Sequence, residues 1–193
     1  MTSPLSDESQ RARETLDYIR KTMENASTFT AVSGWGMLAV GMIGLGAAAA
    51  AWQLGTPFAL RIWLPAATLA IAISIVANAG KAKRLGVPLW SGALRKVAWV
   101  MAPALAAGTM LTVALHQHGA GDLLPGTWLV LYGAGVTAGG TLSVRAIRWM
   151  GLSMLGFGCV ALFRPDWGAL LLALGFGVMH LLFGARLVAK HGG

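Results

Sequence analysis

Charge is scarce in this chain of 193 residues: 11 % are Asp, Glu, Lys or Arg, while 56 % are apolar. A water-soluble domain carries about 25 % charged residues, so the shortfall excludes a large soluble catalytic domain and makes lipid the solvent. Cysteine is scarcer still. The single Cys159 can form no internal disulfide, metal knuckle or CxxC redox pair. Acidic residues are absent from every apolar run: Asp7, Glu8, Glu14, Asp17 and Glu24 precede the first run, and Asp122 and Asp166 lie between runs. Proton- or cation-coupled transport ordinarily places a carboxylate near the midplane, and this chain has none to offer. GxSxG, HExxH and paired intramembrane aspartates are missing too, so no enzyme is expected. Alternating ten-residue segments are not found, which excludes barrel strands.

What is present is six apolar segments: Ala31 to Gln53, Leu60 to Gly80, Val97 to Leu115, Thr127 to Val144, Ile147 to Phe163 and Gly168 to Val188. Each approaches the length needed to cross about 30 Å of hydrocarbon at about 1.5 Å per helical residue. The expected fold is therefore all-α, a polytopic membrane protein of six helices over residues 30–193, preceded by a cytoplasmic helical region over residues 1–29. The first 28 residues hold nine charged groups and no apolar core for a signal peptidase, so the N-terminus is expected to be mature.

Basic residues fix the orientation. With the N-terminus inside, Arg11, Arg13, Arg20, Lys21, Lys81, Lys83, Arg84, Arg95, Lys96, Arg145, Arg148, Arg186 and Lys190 are cytoplasmic, and only Arg61 and Arg164 are outside. Thirteen against two sets an even span count with both termini cytoplasmic. Trp52, Trp63, Trp128 and Trp167 then fall at the outer surface and Trp90, Trp99 and Trp149 at the inner one, as aromatic belts require. The net charge of +8 is thereby a topology signal facing lipid, not a nucleic-acid footprint. The spans pair into three hairpins, each turning outside at a proline followed by a tryptophan: Pro57 with Trp63, Pro125 with Trp128, Pro165 with Trp167.

The N-terminal segment is the one soluble element with a pattern. Ser6 can cap a helix whose first turn holds Asp7 and Glu8, and opposite charges recur at i,i+4 in Asp7/Arg11, Arg13/Asp17, Asp17/Lys21 and Arg20/Glu24. Ala12, Leu16, Ile19, Met23 and Ala26 form a narrow apolar stripe. Such a stripe docks on the protein's own loops, lies on the membrane or binds a partner helix; Leu16, Ile19 and Met23 are the candidate partner-binding residues.

Inside the spans, Thr68, Ser74, Thr109, Thr112, Thr137 and Thr141 either line a path for a neutral or weakly polar solute or bond to their own backbone one turn back. Pro65 and Pro103 could open a small cavity by kinking spans two and three. His180 is the single ionisable group well inside a span, read as a hydrogen-bonded packing residue or a buried ligand contact. It lies about 20 Å in depth from His116 and His118, too far for a bis-histidine haem in one subunit, although two copies could meet across a dimer. Cys159 is about 14 Å in depth from His180 and cannot use it as a base. His116, His118 and Asp122, in a glycine-bearing outer turn, have metal-ligand residue types, against the plainer reading of a solvated loop. No cofactor is expected. Small residues at Gly135 and Gly139, at Gly41, Gly44 and Gly46 with Ala47 to Ala51, and at Gly177 with Ala173 offer flat ridges either for packing within the bundle or for a homo-oligomer seam.

The stretch 151–193, GLSMLGFGCVALFRPDWGALLLALGFGVMHLLFGARLVAKHGG, carries small residues at Gly156, Gly158, Gly175, Gly177 and Gly184, a proline turn at Pro165, and a closing glycine before basic residues. It resembles the two-helix repeat of the HdeD-like small membrane proteins. That resemblance implies a six-span bacterial inner-membrane protein with an association to acid resistance. The combined reading is a non-catalytic accessory or regulatory membrane protein, linked to envelope stress, that meets lipid and a protein partner through its cytoplasmic helix and basic loop. A small channel or carrier is the alternative, and a metal- or haem-binding redox subunit a third.

Overall fold

The computed structural model describes residues 10–11, 13–19, 32–54, 60–86 and 92–191. Residues 10–11 and 13–19 are helical and exposed. The body is all-α: α1 (Gly34–Gln53), α2 (Leu60–Arg84), α3 (Gly92–Gln117), α4 (Leu124–Gly140), α5 (Arg145–Phe163), and a last helix, α6, made of Gly168–Leu172, a π-helical stretch Ala173–Met179 and His180–His191. Short 3₁₀ turns at Gly121–Leu123 and Pro165–Trp167 precede α4 and α6. Among the described residues five helices, α1, α2, α3, α5 and α6, are long and apolar enough to cross a membrane. The fourth expected span is α4, 17 residues long. It stops before Val144 because Gly139 and Gly140 are followed by a turn in which the Thr141 hydroxyl bonds back to Ala138 O at 2.6 Å.

Local chemistry sets the other ends. Ser33 caps α1, its hydroxyl accepting the Gly36 N–H, so the helix begins three residues after the expected Ala31. Gly86 and Gly119, at φ 65° and 70°, take the left-handed conformation just past α2 and α3, where a residue with a β-carbon is disfavoured. Pro125 sits at the start of α4, where a missing N–H costs nothing. Pro65 and Pro103 lie within α2 and α3 but on their exposed faces, and so do not frame the internal cavity that kinks there were expected to open.

Two glycine seams build the interior. In the first, α4 packs on α5, the closest helix pair in the molecule. A β-carbon added at Gly133 would lie 2.5 Å from the Leu155 backbone nitrogen, at Gly140 2.6 Å from that of Arg148, and at Gly158 2.5 Å from that of Val130. In the second, α1 runs antiparallel to α6: a β-carbon at Gly34 would come 2.7 Å from the Val188 nitrogen, at Gly44 2.6 Å from Phe176 O, and at Gly184 3.0 Å from the Leu38 nitrogen. Both seams repeat every seven residues: Gly126, Gly133 and Gly140 facing Gly151 and Gly158, and Gly34 and Gly41 facing Gly177 and Gly184. A seven-residue period keeps one face turned to a neighbour in a shallow left-handed crossing. Between the seams lies the core of Met37, Leu129, Val136, Met150, Met154, Ala161, Leu171, Leu172 and Leu187.

This arrangement departs from three equal hairpins. α1 packs with α2, and α3 with α4, but α5 and α6 meet each other less closely than α5 meets α4 or α6 meets α1. The reason is that the glycines of α5 and α6 face those other partners. The Gly135/Gly139 ridge is likewise internal, since β-carbons there would approach Ala104 and Val97 of α3 at 3.3 Å; Ala47, Ala51 and Gly177 are buried too. Gly46, by contrast, has nothing within 4 Å of an added β-carbon, so that part of the α1 ridge faces outward. α2 and α3 form the flanks and expose Ile71, Ile75, Val76, Met110 and Val113. Trp35, Trp99 and Trp149 are exposed at the basic end of the bundle and Trp52 and Trp167 at the other. Trp63 and Trp128, expected as surface anchors, instead turn inward. Trp63 packs on the core, and the Trp128 indole lies against Gly108 and donates to Thr112 Oγ1 at 2.9 Å.

Gly156 has nothing within 4 Å of an added β-carbon, whereas Gly158, two residues on, faces the α4 backbone. Gly158→Ala should lower stability by about 1–3 kcal/mol through overpacking, while Gly156→Ala should be neutral or stabilising by up to about 1 kcal/mol through helix propensity. Thermal unfolding of the two variants side by side in detergent checks the opposite signs.

Candidate functional site

The most polar spot inside the bundle centres on His180, which is 3 % exposed. Its position follows from α6. The π-helical stretch widens the helix over Ala173–Met179, the kind of irregularity that re-aims a side chain and recurs at functional positions. Gly175 and Gly177 let this stretch sit against Leu129 and Leu45. His180 Nδ1 lies 3.2 Å from Gly175 O and Nε2 lies 3.3 Å from the Tyr132 hydroxyl of α4. A carbonyl can only accept, so Nδ1 carries the proton and Nε2 accepts from Tyr132. The imidazole is stacked near-parallel to Phe176, with ring centroids 6.0 Å apart and 12° between planes, and Tyr132 packs on Phe176 at 5.0 Å.

In this geometry both ring nitrogens of His180 are engaged by groups of the same bundle. Tyr132 is the residue that sequence reasoning passed over. A phenol in the middle of an apolar run must find a partner, and the chain has only two tyrosines, Tyr18 and Tyr132.

The hydroxyls resolve in the same direction. Thr68 bonds to Leu64 O, Thr109 to Leu105 O, Thr112 to Gly108 O and Thr137 to Gly133 O, each one turn back, and Thr141 bonds to Ala138 O. Thr68, Thr109 and Thr141 are exposed on the outside of the bundle. They satisfy themselves rather than converge on a path.

At the end of the bundle opposite the basic residues, His118 Nδ1 turns to Ala114 O at 2.8 Å. Among the described residues no three His, Cys, Asp or Glu side chains group as metal ligands, so His116, His118 and Asp122 are not brought together. Arg164 forms a two-point bond with Asp166 and lies over the Trp167 ring at 4.8 Å; the carboxylate raises the Arg164 pKa above its ordinary value. Cys159 is exposed.

At the basic end, Lys81 and Asn78 of α2 reach the residues that precede α1, an arrangement that sequence reasoning also missed. Beyond it, Leu16 is 65 % and Ile19 47 % exposed. Met23 lies outside the described residues. No family model, curated protein or solved structure matches this chain.

His180→Ala should cost about 2–4 kcal/mol, because it leaves a cavity and strips partners from Tyr132 and Gly175. Tyr132→Phe should cost about 1 kcal/mol, one neutral hydrogen bond. Denaturant unfolding in micelles measures both, and neither wild type nor variant should show a Soret band.

Proposed function

We propose that this chain is a six-span, non-catalytic accessory or regulatory protein of the bacterial inner membrane, of the HdeD-like kind, acting through its cytoplasmic N-terminal helix and the basic loop of residues 81–96. The observation that carries the reading is the exposure of Leu16 and Ile19 on a helix outside the apolar bundle. Apolar side chains three apart on an isolated helix face gain little unless a partner covers them. The membrane body supports the same reading from the other side. Its seams are closed by glycine, its hydroxyls bond to their own backbone, and its inward histidine is fully engaged. A solute carrier would need polar groups turned toward a common path. In the six-span arrangement, α4 is the fourth crossing; its 17 residues rise about 25 Å, within the range of a short span. The envelope-stress association follows from the resemblance of residues 151–193.

Topology is checked by thiol labelling in a Cys159→Ser background. Gly121→Cys should react with an impermeant maleimide on intact cells, and Gly86→Cys only after permeabilisation. Equal labelling at both positions removes the six-span arrangement.

The working surface is checked by deletion. Removing residues 1–28 should leave the bundle folded in detergent yet abolish co-purification of whatever binds the full chain in native membranes. Leu16→Glu with Ile19→Glu should do the same. Retained co-purification, together with solute flux in reconstituted vesicles that survives the deletion, would reverse the assignment in favour of a carrier.

A further inference from the structure

α2 and α3 follow one another in the chain but belong to different parts of the bundle: α2 is held by α1, and α3 by α4. The two flanks meet at the basic end, where buried Ala82 packs with Leu94 and Val97 of α3. Farther from that end the same faces are bare. Ile75 and Ile71 lie seven and eleven residues before Ala82, so they project from its side of α2; they are 57 % and 60 % exposed. Leu105 lies eleven residues after Leu94, on the matching side of α3, and it too is exposed. The flanks thus converge at Ala82 and leave an apolar groove between them on the way to the opposite end. Eleven helical residues rise about 16 Å, about half of a 30 Å hydrocarbon core and so the depth of one leaflet.

Cations crowd the mouth of this groove. Lys83 and Arg84 follow Ala82, and Arg95 and Lys96 follow Leu94, so four basic residues stand within two positions of one side-chain contact. Lys83, Arg84 and Arg95 are exposed, and among the described residues no carboxylate pairs with them. The bundle has none to send: residues 25–121 contain no Asp or Glu, and Asp122 and Asp166 lie at the opposite end. The first 30 residues hold five acids against four bases, a surplus of one negative charge. α3 begins at Gly92 with no acid in its first turn, so the positive end of its dipole adds to the same field. The orientation rule asks only that cations lie on this side. It is indifferent to their gathering where two flanks converge over an apolar groove.

We propose that the groove between α2 and α3 holds an anionic phospholipid, its phosphate on Lys83, Arg84 and Arg95 and its acyl chains along Ile75, Ile71 and Leu105. A phosphodiester offers acceptor oxygens to all three cations, and the planar guanidinium fork matches two of them at once. One molecule then answers both features, with charge at the mouth and apolar chains at the depth of one leaflet. A soluble polyanion would satisfy the cations and leave the groove bare; an apolar helix would do the reverse. Bound there, the lipid ties the flank that α1 holds to the flank that α4 holds. This deepens the reading of the basic loop as a working surface and is independent of the N-terminal helix.

Photo-crosslinking of the full chain tests the site, in phosphatidylcholine vesicles containing a minority of phosphatidylglycerol that carries an acyl-chain diazirine, with the label located by peptide mass spectrometry. In wild type, Ile71, Ile75 and Leu105 should take at least about fivefold more label than Leu152 and Val160, which are exposed on α5. Phosphatidylcholine carrying the same diazirine should show no such preference. Lys83→Gln with Arg84→Gln and Arg95→Gln should abolish the preference. Arg148→Gln with Arg186→Gln and Lys190→Gln, the same loss of charge from exposed positions on α5 and α6, should keep it. Deletion of residues 1–28 should leave the label unchanged, so failure of the partner reading and failure of the lipid site show separately. Even labelling of the groove and α5 in wild type, a comparison that needs no variant to fold, overturns the site. Equal preference with the phosphatidylcholine probe, equal loss in both triple variants, or a groove filled by a second copy of the chain overturns it as well.

Discussion

Everything in this bundle depends on how closely two helix backbones can approach without side chains between them. In water, apolar faces associate because water rejects them; in lipid the surroundings are as apolar as leucine, and that drive is gone. What replaces it is dispersion at short range, which requires the axes to come close along a whole seam. Glycine at every seventh position provides this on four helices here. Gly133 against the Leu155 nitrogen and Gly34 against Val188 leave no room even for a methyl group. The close fit settles the partners as well as the distance: α5 turns to α4 and α6 to α1, each away from its own hairpin mate.

The second constraint follows from the same solvent. A polar group buried away from water must be satisfied within the protein. The threonines do so one turn back along their own helices. The Trp128 indole does so at Thr112, whose hydroxyl accepts that proton while giving its own to Gly108 O. His180 needs two partners and receives them from different directions, one from the opened carbonyl of its own π-helical stretch and one from Tyr132 across the seam. The irregular turn and the histidine thus account for each other.

Much of this was legible before any coordinates. The apolar runs located the helices to within a few residues, because composition over some twenty positions averages out local detail. The self-satisfied hydroxyls followed from Thr and Ser chemistry alone. What escaped was partner choice and facing. Gly135-x-x-x-Gly139 drew attention as a known ridge pattern, yet the tighter seam uses Gly126, Gly133 and Gly140, a period of seven that shows only when glycines are compared across the helix rather than within one turn. Trp63 and Trp128 read as interface anchors because a tryptophan near a span end looks the same whether it turns outward or inward. Asn78 and Lys81 were missed for a related reason. Lys81 opens a run of basic residues, and a cation there is already explained by the orientation rule.

That double use of Lys81 bears on where function can reside. A lysine at a cytoplasmic helix end ordinarily extends its stem along apolar surface and keeps its ammonium in water. Lys81 instead ends against Val32 O, with little of its surface exposed. Hydration is given up there, and the charge-assisted bond to the Val32 carbonyl is one of the contacts that offset it. The interior of the bundle has no comparable tension, since its glycine seams and its histidine are already satisfied in one arrangement. The basic end is therefore where bonds between elements concentrate: Ser33 caps α1 while Asn78 and Lys81 of α2 bond to the two residues before it. Within the described spans the threonine hydroxyls bond along their own helices, so side-chain bonds from one element to the backbone of the next are a feature of this boundary, where water is near enough to compete for them.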